Sequence, residues 1–207
     1  MVFQSDPVEQ ESGDNEPSRE MIIKTAKAGD AVVKVVNRCE ETKESKVLDL
    51  SSCSLIKVPE AVYFILRNEE ILRCNLSNNL ISKITPQFGG SCFVNLTTLN
   101  VSTNRLSTLP RELLGCKQLT SVDISTNNFV EIPSVLFEID TITDINAKGN
   151  FIAEVNEDDI ETHDSLEVVN LENNPITPSC HERLQTISRV KIILSERKLE
   201  EWEDLTI

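Results

Sequence analysis

The sequence predicts an α/β repeat solenoid. Short strands form a curved parallel sheet, and short helical or 3-10 returns run along its convex side. A helical cap closes the N-terminal end and a helix-strand-helix cap closes the C-terminal end. Three observations predict this. A spaced apolar pattern, cleanest in "LTTLNVSTNRLSTLP" (96–110), recurs in six tandem copies. The equivalent Asn or Cys positions, Cys53, Asn79, Asn104, Asn127, Asn150 and Asn174, are 26, 25, 23, 23 and 24 residues apart. The flanking segments lose the pattern and read as helices, as the apolar ends of a stacked array require.

Residues 1–19 form an acidic tail, polar and carrying two prolines, that is expected to be disordered. Residues 20–45 form the N-terminal cap: Asp30 is a candidate helix N-cap, followed by Ala31, Val32, Val35, Val36 and Cys39 at helical spacing. Residues 46–178 hold the six repeats, beginning with a degenerate copy at Leu48, Leu50, Cys53, Leu55 and Val58. Residues 179–207 form the second cap: a short helix in "CHERLQTI", a last strand in "VKIIL", and a helix in "SERKLEEWEDL" with Leu199 and Trp202 on one face.

The residue types have physical reasons. In each apolar-x-apolar triplet the alternate side chains point inward, as along any strand. The chain must then turn out of the sheet, and a short amide that both donates and accepts can satisfy backbone groups buried in that turn. Asn79, Asn104, Asn127, Asn150 and Asn174 should therefore form a structural ladder, with Cys53 in the first slot. Pro after Leu109 and Ile132 favours extended or 3-10 returns, whereas the acids of "VNEDDIETHDS" suit a helix start. Phe88, Phe93, Val135, Leu136 and Ile160 are expected to fill the core from the convex side.

The pattern L-x-x-L-x-L-x-x-N-x-L and a step of roughly 20–29 residues belong to the leucine-rich repeat. The stretches "VLDLSSCSLIKVPEAVYFILRN", "LSNNLISKIT" and "LENNPI" resemble a small intracellular member of that superfamily, over about residues 30–178. The resemblance implies protein binding through the concave sheet.

The chemistry excludes more than it assigns. A net charge of −14 argues against a nucleic-acid partner, which needs a positive footprint. The imbalance is greatest in residues 141–207, with fifteen acids and six bases. No apolar run is long enough to span a bilayer, and the start lacks the features of a secretory signal. The six scattered cysteines read as reduced, buried thiols of a cytoplasmic protein, with the nucleus left open. Cys180 and His181 are adjacent, but neighbours on a helix diverge by about 100° and do not make a nucleophile–base dyad. No spacing matches a zinc site, and "EVNEDDIETHDSLE" lacks the order of a calcium loop. No cofactor and no metal are expected, and the chain is expected to be a monomer without catalytic activity.

The concave face remains. Its outward columns run Val47, Arg73, Thr98, Ser121, Asp144, Val168; then Asp49, Asn75, Asn100, Asp123, Asn146, Asn170; then Ser51, Ser77, Ser102, Ser125, Lys148, Glu172. Arg73, Asp144, Lys148 and Glu172 depart from the repeat consensus, and with Asp123 they are the candidate partner contacts. The leading function is a protein-interaction module or adaptor. Two alternatives are a regulatory subunit of a phosphatase or ubiquitin ligase, and an acidic chaperone-like binder of basic proteins.

Overall fold

The computed structural model describes residues 19–196. The expected acidic tail lies outside them apart from Arg19, which is helical, and so does the helix expected to carry Leu199 and Trp202. Seven three-residue strands, β1 (Val47–Asp49), β2 (Arg73–Asn75), β3 (Thr98–Asn100), β4 (Ser121–Asp123), β5 (Asp144–Asn146), β6 (Val168–Asn170) and β7 (Lys191–Ile193), form one parallel sheet in chain order. Its register sets Val47 beside Arg73, then Thr98, Ser121, Asp144, Val168 and Lys191.

The middle residue of each of the first six strands (Leu48, Cys74, Leu99, Val122, Ile145, Val169) is buried, while its two neighbours face the open side. After each repeat strand the chain turns at a residue with positive φ: Ser52, Asn78, Thr103, Thr126, Gly149 and Asn173. Each sits one position before a ladder residue. Five of the six are not glycine, although left-handed backbone costs such residues about 1–2 kcal/mol. The next repeat compensates: Asn78 N donates to Ser102 O at 3.0 Å, and Thr126 N to Lys148 O at 2.7 Å.

The returns differ with their sequences. Repeat one uses α2 (Glu60–Ile65), repeat two the 3-10 turns Pro86–Gly89 and Ser91–Phe93, and repeat three the 3-10 turn Arg111–Gly115. "IPSVLFEID" makes a single α-turn, α3 (Ser134–Phe137), rather than a 3-10 turn, because the residues after Pro133 place Val135 and Leu136 together in the core. Then come α4 (Glu157–Glu161) and α5 (Pro178–Thr186), capped by Asn156 and Thr177 side chains. Phe88 stacks on Phe93 at 4.2 Å between ring centroids, Tyr63 meets Phe93 edge-on, and all of Phe88, Phe93, Val135, Leu136 and Ile160 are buried.

One expectation is corrected at the N-terminal cap. A single helix, α1 (Arg19–Ser45), runs through Asp30, which is therefore interior and not an N-cap. Good helix formers precede it, and propensity for continuation outweighs a local capping signal. Val35, Cys39 and Thr42 form the buried face, three and four residues apart. Val32 and Val36, placed on the same apolar stripe by spacing alone, are exposed, because the buried face is narrower than that stripe.

Candidate interaction surface

The asparagine ladder defines what the turns leave available. Asn127 is 4% exposed. Its Nδ2 donates to Val101 O (3.0 Å) in the preceding repeat and to Ile124 O and Ser125 O (both 3.1 Å) in its own. Its Oδ1 accepts from Leu106 N at 2.9 Å. Asn79, Asn104, Asn150 and Asn174 repeat this arrangement, bonding Leu50 O, Leu76 O, Ile124 O and Ala147 O across the repeat boundary. Carbonyls such as Ile124 O thus serve two successive asparagines.

Cys53 cannot reach backward in this way. Its slot is completed by Arg38 of α1, whose guanidinium donates to Asp49 O (2.9 Å), Ser51 O (2.7 Å) and the Cys53 Sγ (3.6 Å). The cap thus supplies the donor that a preceding repeat would have supplied. Nothing in the spacing of α1 singles out Arg38. A threonine series on the other edge of the strands had a signal: Thr97, Thr120 and Thr143 recur every 23 residues. Their hydroxyls donate to Leu72 O, Thr97 O and Thr120 O, tying each strand entrance to the last.

On the open face the columns differ in how far their groups are engaged. The second column is an internal device: Asp49, Asn75, Asn100, Asp123, Asn146 and Asn170 each accept, through the side-chain oxygen, the N–H two residues on. Asp123 belongs to this series, with Ser125 N at 2.9 Å. In the third column Lys148 Nζ pairs with Glu172 Oε2 at 2.9 Å. The hydrogen bond from Lys148, and then its charge, holds the Glu172 carboxyl below the ordinary range. In the first column the Asp144 carboxylate lies 2.6 Å from the adjacent Thr143 hydroxyl, whose one proton it shares with Thr120 O. Arg73 is exposed, and its guanidinium has no partner among the described residues. Of the five candidates, Arg73 alone keeps its whole charged group available.

The possible catalytic pair comes apart. The Cys180 thiol is buried, with Val155 N 3.3 Å from Sγ, and burial pushes its pKa up, away from the thiolate a nucleophile needs. The His181 Nε2 lies instead 3.4 Å from Ser195 O. Among the described residues no cluster of His, Cys, Asp or Glu is placed to hold a metal ion, and no helix is long and apolar enough to cross a membrane.

A stacked parallel sheet, an asparagine clamp in five of the six repeats and a variable return are the architecture of the leucine-rich repeat, and the family model for the Leucine Rich Repeat matches residues 95–116. The chain has the leucine-rich repeat fold. It is 36% identical over 91 residues to leucine-rich repeat-containing protein 20 of Mus musculus, covering 42% of this chain and 49% of that protein. The Homo sapiens protein of the same name is 35% identical over 97 residues, covering 45% and 52%. The chain thus spans about half the length of the curated relatives it matches. Among solved structures, the leucine-rich repeat domain of the type III effector XopL aligns with a TM-score of 0.63 at 16% identity, over 87% of this chain and 61% of that one. The leucine-rich repeat protein LIC12759 of Leptospira interrogans aligns at 0.58 with 22% identity, over 67% and 34%. These likenesses are in fold. A leucine-rich repeat array is in general a protein-interaction module, and this chain has that architecture.

Proposed function

We propose that this protein is a non-catalytic adaptor that grips one protein partner along the first column of its concave face, with Arg73 as the anchor. The observation that carries this reading is the uneven engagement of the open face. The second column bonds its own backbone and the third carries the Lys148–Glu172 pair, while Arg73, Thr98 and Ser121 in the first make no side-chain hydrogen bond among the described residues. Arginine is among the residues that dominate interface energetics, because its planar fork desolvates well and donates to two acceptors at once. The neighbouring Thr98 and Ser121 are half-buried, short and polar, leaving room for a side chain that carries a carboxylate to Arg73.

Affinity capture with the full chain and with Arg73→Glu tests this. The adaptor reading expects a partner recovered by the native chain and lost with Arg73→Glu at unchanged thermal stability. Equal recovery by both proteins would remove Arg73 from the interface. A recovered set dominated by one enzyme, whose rate the added chain changes, would favour a regulatory subunit instead.

A further inference from the structure

Beyond each ladder residue the chain descends from the sheet, and neighbouring descents are bonded side by side. Leu80 N donates to Leu55 O, Arg105 N to Ile81 O, Asn128 N to Leu106 O and Phe151 N to Phe129 O, at 2.8 to 2.9 Å. These bonds hold equivalent positions of successive repeats in line, so the exposed residues of this edge also form columns. The column four places after the ladder residue reads Lys57, Lys83, Thr108, Glu131, Glu154, and all five are exposed. It runs from two cations through a neutral centre to two anions.

Four exposed large apolar side chains stand on the same edge. Ile56 (71% exposed) and Leu80 (41%) belong to repeats one and two, and Val130 (66%) and Phe151 (60%) to repeats four and five. Repeat three contributes the polar Arg105, Ser107 and Thr108. Apolar side chains scattered singly on a surface need no explanation, but this order has a symmetry. A two-fold axis through repeat three sets repeat one against repeat five of a second copy, and repeat two against repeat four. Ile56 then meets Phe151 of the second copy and Leu80 meets Val130. Lys57 faces Glu154, and Lys83 faces Glu131. Each contact is made twice, as an isologous interface requires. Stacking like repeats on each other would instead set lysine on lysine and glutamate on glutamate.

The charges at the centre are available for this. Lys83 and Glu131 make no ion pair among the described residues. Glu154 already holds Arg183 at 3.0 Å, so its contact with Lys57 is the weaker one. A net charge of −14 on each copy opposes association at long range. At about 0.15 M salt the Debye length is about 8 Å, which screens that repulsion more than it weakens pairs in contact.

We propose that this edge is a self-association surface on which a second copy of the chain docks antiparallel about repeat three, with Lys83–Glu131 and Leu80–Val130 as its central contacts. The strip is narrow, about 20 Å long over five repeats at a strand spacing of about 4.8 Å, so the dimer is a weak one. It departs from the monomer expected of the sequence, and it uses none of the residues of the concave reading.

The test is sedimentation equilibrium of the full chain at about 0.15 M salt, from about 5 to about 500 μM. The expected result is a dimer fraction that rises with concentration. Lys83→Glu and Glu131→Lys each create two like-charge contacts in a symmetric dimer, and each should weaken association by about tenfold or more at native thermal stability. An equimolar mixture of the two variants should associate again, because the changed side chains meet with opposite sign and the second contact stays native. Arg73→Glu should leave the dimer unchanged. A native chain that stays monomeric at every concentration would leave the edge to a different protein and overturn the proposal. A dimer that persists in both variants, or a mixture that remains monomeric, would overturn it as well.

Discussion

Replacing Asn127 by alanine removes one rung of the ladder and leaves a defined set of unmet groups. The Leu106 N–H, which donates to the Asn127 Oδ1 at 2.9 Å, loses its acceptor in a buried turn. An orphaned buried donor costs about 1–3 kcal/mol. Val101 O and Ile124 O each keep a second donor, from Asn104 and Asn150, so each loses only one of two bonds, at about 0.5–1 kcal/mol apiece. Ser125 O keeps Thr103 N. The sum is about 3 kcal/mol. The assay is urea unfolding followed by far-ultraviolet circular dichroism, with the exposed neighbour Asn128→Ala as a control expected within about 0.5 kcal/mol of the native chain. Combining Asn127→Ala with Asn150→Ala strips both donors from Ile124 O, so the double variant should lose about 1 kcal/mol more than the two singles added. A single-variant loss below about 0.5 kcal/mol, or strict additivity in the pair, would refute the shared-carbonyl account.

Arg38→Ala should loosen the first repeat selectively, because the guanidinium alone ties α1 to Asp49 O and Ser51 O. Amide exchange should speed up in β1 and its turn while β4 to β6 keep native rates, and a uniform change along the sheet would contradict a local cap role. Gly89→Ala should destabilise by about 1–3 kcal/mol in the same urea assay, since an added Cβ would sit 2.2 Å from Glu112 O, a backbone atom that cannot swing away. Stability should also fall as the medium becomes alkaline. Burial pushes the Cys39 and Cys116 thiols up to about 11 from an ordinary 9.0. From about pH 9 to pH 11 the unfolded chain therefore sheds protons that the folded chain keeps, which favours unfolding. Urea midpoints should drop across that window and drop less in Cys116→Ala; a flat profile would mean the thiols ionise freely in the fold.

Periodic features were the legible ones. The spacing of Leu48, Cys74, Leu99, Val122, Ile145 and Val169 indicated the strands, and the register aligns the same outward columns. Each such residue answers to its own repeat, and the repeat is visible as a nearly constant step of 23 to 26 residues. What escaped reading depends on contacts between different units. Arg38 acts across the junction of α1 with the first repeat, where there is no period to follow. Asp30 carries a local capping signal that the longer helix overrides. Lys148 and Glu172 look like two free contacts as letters, yet 24 residues is one repeat, so they stand beside each other and pair.

The most direct measurement of the central claim places the photo-crosslinker benzoylphenylalanine, one position at a time, at 98 and 121 on the concave first column and at 112 on the opposite side. Each protein is irradiated with the partner recovered by affinity capture. The account predicts covalent adducts from positions 98 and 121 and none from 112. Adducts from 112 alone would move the partner off the sheet and contradict the assignment of the concave column as the interaction surface.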